Sequence, residues 1–419
     1  MKTCFTSLFF PAFVITALAI VPLCAQAQFV YVNDNSLANT VTEFTVAGNM
    51  LVSPTPFVTT GAGLPGVFAA NQQGVATYNN LSCLFVSDPN SSSSFPTGDV
   101  AAFSLTGGTP TLVANSFDPT NTFGANKGIP LAIDRQPGFP YVFAAFTGEQ
   151  KIVYFKVNTV TCQLVYVSST TAVGLSGQPV AAMAVSPAGP HILVVTYQDG
   201  SIQSFKVTGA TLIPTAPPFQ STGNATQGGM PAGLDITANG KFVIFGDSQT
   251  VTEVEVSKIN PTGTLTPTVD YGGPAVASGV NLGTGVNSSN VWISPGVTAG
   301  NNFVYVSNNN SGQVTTLKLA PSIGLVTAIP SSSCTGAFTN PTTLNNTSAW
   351  LFSGHIQTQQ TSGTGNIIYV AEYGTPSSVA ELKVQATGCT REALSFGSPF
   401  TDVNSNAARS LSVFPPRPF

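Results

Sequence analysis

Seven short turns along the chain carry an oxygen-bearing side chain at one repeated position: Asp34, Asp88, Glu149, Asp199, Asp247, Asn308 and Glu372. Six of these are carboxylates, in a chain of 419 residues with only 17 acids. Gathered around one rim, such groups would act as oxygen ligands for a divalent cation, calcium or magnesium, or as acceptors for a polyhydroxylated ligand. Turn chemistry accounts for the same residues more simply, since Asp and Asn accept hydrogen bonds from their own turn's backbone. Lys127 and Arg409 are the cations expected near the same rim, with Gln178, Gln227, Asn290 and Asn346 in corresponding connections. Beside a carboxylate such as Glu149 or Glu372, these two cations would hold an anionic substrate and polarise its carbonyl. Charge balance with neighbouring acids is the plainer role for both.

A general base is harder to find. Histidine is the usual base near neutral pH, and the chain has two, His191 and His355. His191 follows Gly189-Pro190 in a turn, and His355 falls in the segment 354–365, which reads as the corresponding connection. Both are expected on the face opposite the acidic rim, as ordinary turn or surface histidines. Gly61-Ala62-Gly63-Leu64-Pro65-Gly66 fits G-x-G-x-x-G but contains Pro65 and precedes no crossover helix, so it reads as a loop. The sequence holds no G-x-S-x-G, H-E-x-x-H or phosphate-loop motif. Trp292 and Trp350 occupy matching strand positions, where core packing competes with sugar stacking and is the simpler role.

The elements that position these residues follow from an internal repeat. The pattern x-[Val/Ile]-x-x-[Phe/Leu/Val]-x-[Val/Leu] occurs seven times, centred on Phe44, Phe103, Phe155, Phe205, Val254, Leu317 and Leu382, at intervals of 49 to 65 residues. Apolar and polar residues alternate in it, the period of a strand with one buried face. A more continuously apolar strand precedes each copy, for example Phe29-Val30-Tyr31-Val32 or Ile192-Leu193-Val194-Val195. In six units a third strand runs ahead of that, such as Val180–Val185, Pro231–Ile236, Asn290–Ile293 or Ala349–Phe352. A fourth follows the alternating strand, as at Leu51–Val58, Leu164–Val167 and Leu325–Ile329. The first unit lacks its leading strand, and Arg409-Ser410-Leu411-Ser412-Val413 supplies that pattern at the other end of the chain. Seven four-stranded antiparallel units closed by the last strand describe an all-β, seven-bladed propeller. Closure also removes the free edges through which so much β-structure would aggregate.

Phe29-Val30-Tyr31-Val32-Asn33, Phe303-Val304-Tyr305-Val306-Ser307-Asn308 and Ile368-Tyr369-Val370-Ala371-Glu372 resemble the Tyr-Val-Thr-Asn repeats of exported propellers. The layout is similar to the lactonase-like seven-bladed superfamily, which includes 6-phosphogluconolactonase-type enzymes. The resemblance spans the whole chain after residue 27 and implies the fold. For activity it implies a lactonase, a carboxylic ester hydrolase or isomerase with its site in the central funnel, if the chain is an enzyme. The His-rich signatures of gluconolactonase-type enzymes are not matched, so none of that family's catalytic residues is carried over.

Composition narrows the setting. Charged residues make up 7% of the chain, against roughly 25% in typical soluble domains, while 42% of residues are hydrophobic and 28 are Phe. That excludes disorder, which needs low hydrophobicity and high net charge. A net charge of −4 and a pI near 5.1 remove the basic footprint of nucleic-acid binding. Lys2, a short apolar stretch and Ala25-Gln26-Ala27 read as a cleavable signal peptide over residues 1–27, leaving 28–419 as one propeller domain. The expected product is secreted or periplasmic, uninserted in a membrane and monomeric. Cys83, Cys162, Cys334 and Cys389 remain, an even number in an exported chain. Spacing alone does not fix connectivity, and nearness in the chain pairs Cys83 with Cys162 and Cys334 with Cys389. The resulting functional expectation is a non-catalytic exported scaffold that binds a small molecule, carbohydrate or protein. The alternative is the lactonase-like enzyme, with Glu149, Glu372, Lys127 and Arg409 as its working residues and calcium or magnesium replacing the missing base.

Overall fold

A computed structural model describes residues 28–34, 36, 38–47, 50–59, 75–78, 82–89, 98–106, 109–116, 129–134, 136, 138–209, 211–220, 233–248, 251–269, 280–284, 288–295, 302–308, 311–345, 352–361, 365–373, 377–394, 398–402 and 410–414. Seven antiparallel sheets account for nearly all of them. Blade 1 is the split unit. Ser410–Phe414 is its innermost strand and pairs with Gln28–Asn33 in the register Val30↔Val413, and Thr40–Ala47 and Met50–Val58 complete it. The innermost strands of successive blades contact one another all the way round, and that of blade 1 touches those of blades 2 and 7. The ring is therefore closed by chain ends pairing in one sheet, as the sequence pattern predicts.

Blades 2 to 7 begin with Val75–Tyr78, Leu131–Ile133, Val180–Val185, Gly233–Ile236, Ser288–Pro295 and Phe352–Thr361. In blade 7 this differs from expectation. The leading strand includes Phe352 and runs on through His355 to Thr361, so His355 sits in a strand and not in a connection. A register shift between Ser353 and Ile356 accommodates the two residues between them, which is how a β-bulge absorbs extra length. Trp350 lies outside the described residues, and Trp292 lies in the leading strand of blade 6.

The outermost strand departs from the simple repeat in every blade. In blades 1, 2 and 3 it is one strand with a register shift near its middle. In blades 4 to 7 it is two separate pieces, which pair with opposite ends of the third strand: Thr211–Pro214 with Phe219–Gln220, Leu265–Val269 with Val280–Thr284, Leu325–Ala328 with Thr342–Thr343, and Thr390–Glu392 with Phe400–Asp402. Sheet twist grows toward the perimeter, and a straight outer strand cannot follow it without a bulge or a break.

The core consists of layers between blades. Ile368, Val370, Ala380 and Leu382 of blade 7 pack on Phe303, Tyr305 and Val314 of blade 6. The alternate residues Ile367, Tyr369, Ala371 and Val379 pack on Val30, Val32 and Phe44 of blade 1. Both faces of each second strand are thus buried, which is why these strands read as continuous apolar runs. Two disulfides cross seams, Cys83–Cys162 between blades 2 and 3 and Cys334–Cys389 between blades 6 and 7.

Candidate functional site

The seven rim positions fall at the hairpins joining second and third strands, as their spacing implies, and several of their side chains are tied into their own blade or a neighbouring one. Asp34 is fully buried and accepts hydrogen bonds from Thr40 Oγ1 and, at 2.9 Å, from Thr42 Oγ1. It also bonds to Asp402, which belongs to blade 7, and Thr42 Oγ1 reaches Asp402 Oδ1 at 3.4 Å. Burial first, and then the second carboxylate, push the Asp34 carboxyl up to about 9. Two acids this close share a proton because both cannot ionise together. The seam where the ring closes therefore holds two buried acids side by side.

Asp88 tells the same story one blade on. It is fully buried and takes Asn39 Nδ2 at 2.6 Å and Thr59 Oγ1 at 2.9 Å, both from blade 1, while Asn33 Nδ2 donates to the carbonyl of Ser87 at 3.0 Å. Asp199 receives the backbone N–H and hydroxyl of Ser176 at 2.7 and 2.9 Å, and those of Ser201 at 3.0 and 2.5 Å. Burial works to raise its pKa, but these donors win and hold it below the ordinary value. Ser176 lies in the connection between blades 3 and 4, so this carboxylate anchors that crossing.

Glu372 is 1% exposed and accepts the Ser378 hydroxyl at 2.6 Å. Its burial, reinforced by Glu392 and opposed by Ser378, raises it to about 7. Asn308 is buried and donates to Thr315 Oγ1 at 2.8 Å. Glu149 is exposed, in the turn Thr147–Gln150. Asp247 lies at the end of its second strand, opposite Glu253. Of the connecting residues, Gln178 is exposed and Asn290 lies in the leading strand of blade 6, whereas Lys127, Gln227, Asn346 and Arg409 lie outside the described residues, as does the segment 61–66. Among the described residues no group of three or more His, Cys, Asp or Glu side chains is arranged to hold a metal ion.

Other charged residues, most of them not singled out in the sequence, are also buried in or between blades. His191 Nδ1 lies 2.7 Å from Asp134 Oδ2, its ring packs at a tilt against Phe139 with centroids 3.6 Å apart, and its side chain is 17% exposed. It ties blade 4 to a buried acid of blade 3, so it is a seam residue rather than a free surface histidine. Asp134 is raised by burial, against the pull of Gln136 N–H and of His191. Glu43 and Glu381 lie on third strands directly opposite Tyr31 and Tyr369. Glu43 bonds to Tyr31, and burial drives Glu381 to about 7 despite nearby Lys383. Glu255, Glu392 and Asp402 are buried as well. For Glu43 and Glu381 a sequence signal existed: both stand just before the central apolar residue of the repeat, on the flank that pairs with a tyrosine of the preceding strand.

No family model matches the sequence, and no curated protein does. The fold has many solved counterparts. A Lactobacillus plantarum protein aligns at a TM-score of 0.62 with 12% identity, covering 93% of this chain and 99% of that one. The periplasmic gluconolactonase of Pseudomonas aeruginosa aligns at 0.59 with 13% identity, covering 92% and 99%. A protein of Bacteroides fragilis described as a putative 6-phosphogluconolactonase aligns at 0.54 with 13% identity, covering 81% and 96%. The chain has the fold of the lactonase-like seven-bladed propellers.

Proposed function

We propose that the protein is an exported, non-catalytic propeller whose rigid ring presents a binding face to a small molecule, carbohydrate or protein. One observation carries this reading. Asp34, Asp88, Asp199 and Glu372 spend their carboxylates on hydrogen bonds in and between blades, so the acids best placed for chemistry act as staples. Charge is scarce in this chain, and a buried acid that loses its donors costs several kcal/mol. Such residues would have to give up these hydrogen bonds to bind substrate. Recognition would then fall to the loops at the funnel mouth, as it does to the loops of other rigid scaffolds.

The second reading is a lactonase-like hydrolase, favoured by the fold shared with the Pseudomonas aeruginosa periplasmic gluconolactonase. It would rely on Glu149, the one exposed acid described at the rim, with Glu372, Lys127 and Arg409. Hydrolysis of a panel of aldonolactones, with and without calcium or magnesium, separates the two. The scaffold reading expects no turnover above the uncatalysed rate and no shift in melting temperature with either cation. Turnover abolished by Glu149→Gln would replace it with the enzyme.

A further inference from the structure

The outer strand of blade 6 stops at Ala328, and residues 329–341 make an excursion before Thr342–Thr343 rejoins the sheet. That excursion is fastened to blade 7 at several points. Cys334 is disulfide-bonded to Cys389. Thr339 and Thr390 exchange backbone hydrogen bonds of 2.9 and 3.0 Å, and Thr342 Oγ1 donates to the Thr390 carbonyl at 2.9 Å. Just beyond, the backbone N–H of Asn345 donates to Glu392 Oε2 at 2.6 Å. These ties frame a cleft of about 490 Å³. It is built from outer-strand residues, on the flank of the seam and away from the central channel.

Its lining combines Ala337, Leu344 and Leu394 with Arg391, Glu392 and Asn345. The Arg391 guanidinium lies 5.0 Å over the Phe338 ring and has no carboxylate partner among the described residues. Stacking of this kind fixes the direction of the donor fork without neutralising it. Glu392 takes one donor on each oxygen, Asn345 N–H and, at 2.9 Å, the Ser398 hydroxyl. Each carboxylate oxygen has a second lone pair to offer. An anion entering here meets Glu392, and a cation meets Arg391. A neutral ring bearing hydroxyls satisfies both, donating to the carboxylate and accepting from the guanidinium, and its C–H face covers Leu344 and Leu394. The volume lies within the range of small-ligand pockets, and the disulfide and seam bonds remove the ordering cost that loose loops would impose.

We propose that this cleft between blades 6 and 7 is a binding site for a neutral saccharide. It is independent of whatever the central funnel does. The test is saturation-transfer NMR and affinity titration of the full exported protein with glucose, galactose, maltose, cellobiose and glucuronate. At least one neutral sugar should show transfer. Arg391→Met and Ala337→Trp should each weaken its binding by about tenfold or more, leaving the melting temperature and any lactone turnover unchanged. Ala337 is exposed, so its replacement blocks the cleft without entering the core and carries the test alone if Arg391→Met misfolds. Three results overturn the proposal: no neutral sugar binds, sugar binding survives the Ala337→Trp block, or glucuronate binds about tenfold more tightly than glucose.

Discussion

At the scale of single residues, this protein is short of charge yet buries many of its acids. Asp34, Asp88, Asp134, Glu255, Glu372, Glu381 and Asp402 are each 1% exposed or less. Partners differ, and so do the directions in which their pKa values move. Asp34 rises to about 9, and Glu372 and Glu381 each to about 7. A carboxyl raised on folding binds more protons folded than unfolded, so stability falls as pH climbs from the unfolded value toward the folded one. The stability of the protein should therefore decline from about pH 4 upward, and should still be declining above pH 7 because of Asp34. Asp34→Asn keeps an oxygen for Thr40 and Thr42 and removes the ionisation. Its melting temperature should level off near pH 7, whereas the unsubstituted protein should go on losing stability to about pH 9. Parallel curves above pH 7 would show that the Asp34–Asp402 pair does not share a proton. Asp199 moves the other way, lowered by its serine donors, so its contribution is lost only as pH falls below the usual carboxylate range.

At the scale of elements, the seams depend on close approach by turns. Gly324 and Gly388 occupy the hairpins between third and outer strands of blades 6 and 7, with φ of +71° and +92°. A Cβ on Gly324 would lie 2.4 Å from the Phe242 ring of blade 5, and one on Gly388 would lie 2.6 Å from the Phe303 ring of blade 6. The same turn thus presses on the start of the preceding blade's second strand in both places. Gly388→Ala combines an unfavourable backbone angle with a clash against a buried ring and should cost about 2–4 kcal/mol in denaturant unfolding. A change within about 0.5 kcal/mol would mean that the seam yields freely. Seven copies of the strand pattern, the apolar second strands and the split blade were all legible in the sequence, because they repeat with a fixed period. The broken outer strands and the reach of Phe352–Thr361 through His355 were not. Polar, weakly patterned residues form those segments, and their placement answers to twist at the perimeter rather than to burial.

At the scale of the whole molecule, the ring is secured where its ends meet and at two other seams. Removing residues 410–419 deletes the inner strand of blade 1 and leaves Phe29–Asn33 as an open edge. Because an apolar exposed edge recruits other chains, the truncated protein should elute as aggregate in size-exclusion chromatography; a stable monomer would mean that closure by this strand is dispensable. The disulfides close loops of 79 and 55 residues in sequence separation. Loop-closure entropy assigns about 4 kcal/mol to each. Replacing Cys334 and Cys389 by serine should lower unfolding stability by roughly that amount and should also weaken saccharide binding, since the cleft is framed by the same tie.

The sequence by itself determined the number of blades, the strand order, the closing strand and the hairpins in which the rim residues lie. All of these follow from hydrophobic period and spacing, which are local properties that a repeat writes many times over. What the acids at those hairpins do was decided only by the tertiary structure. Asp34 meets Asp402 across more than 360 residues of chain, Asp88 meets Asn39 and Thr59, and Asp134 meets His191, and no local pattern specifies which donor a buried carboxylate will find. The cleft between blades 6 and 7 arises in the same way. Arg391, Glu392 and Leu344 have no common motif, and they come together because a disulfide-fastened excursion from one blade lies against the outer strand of the next.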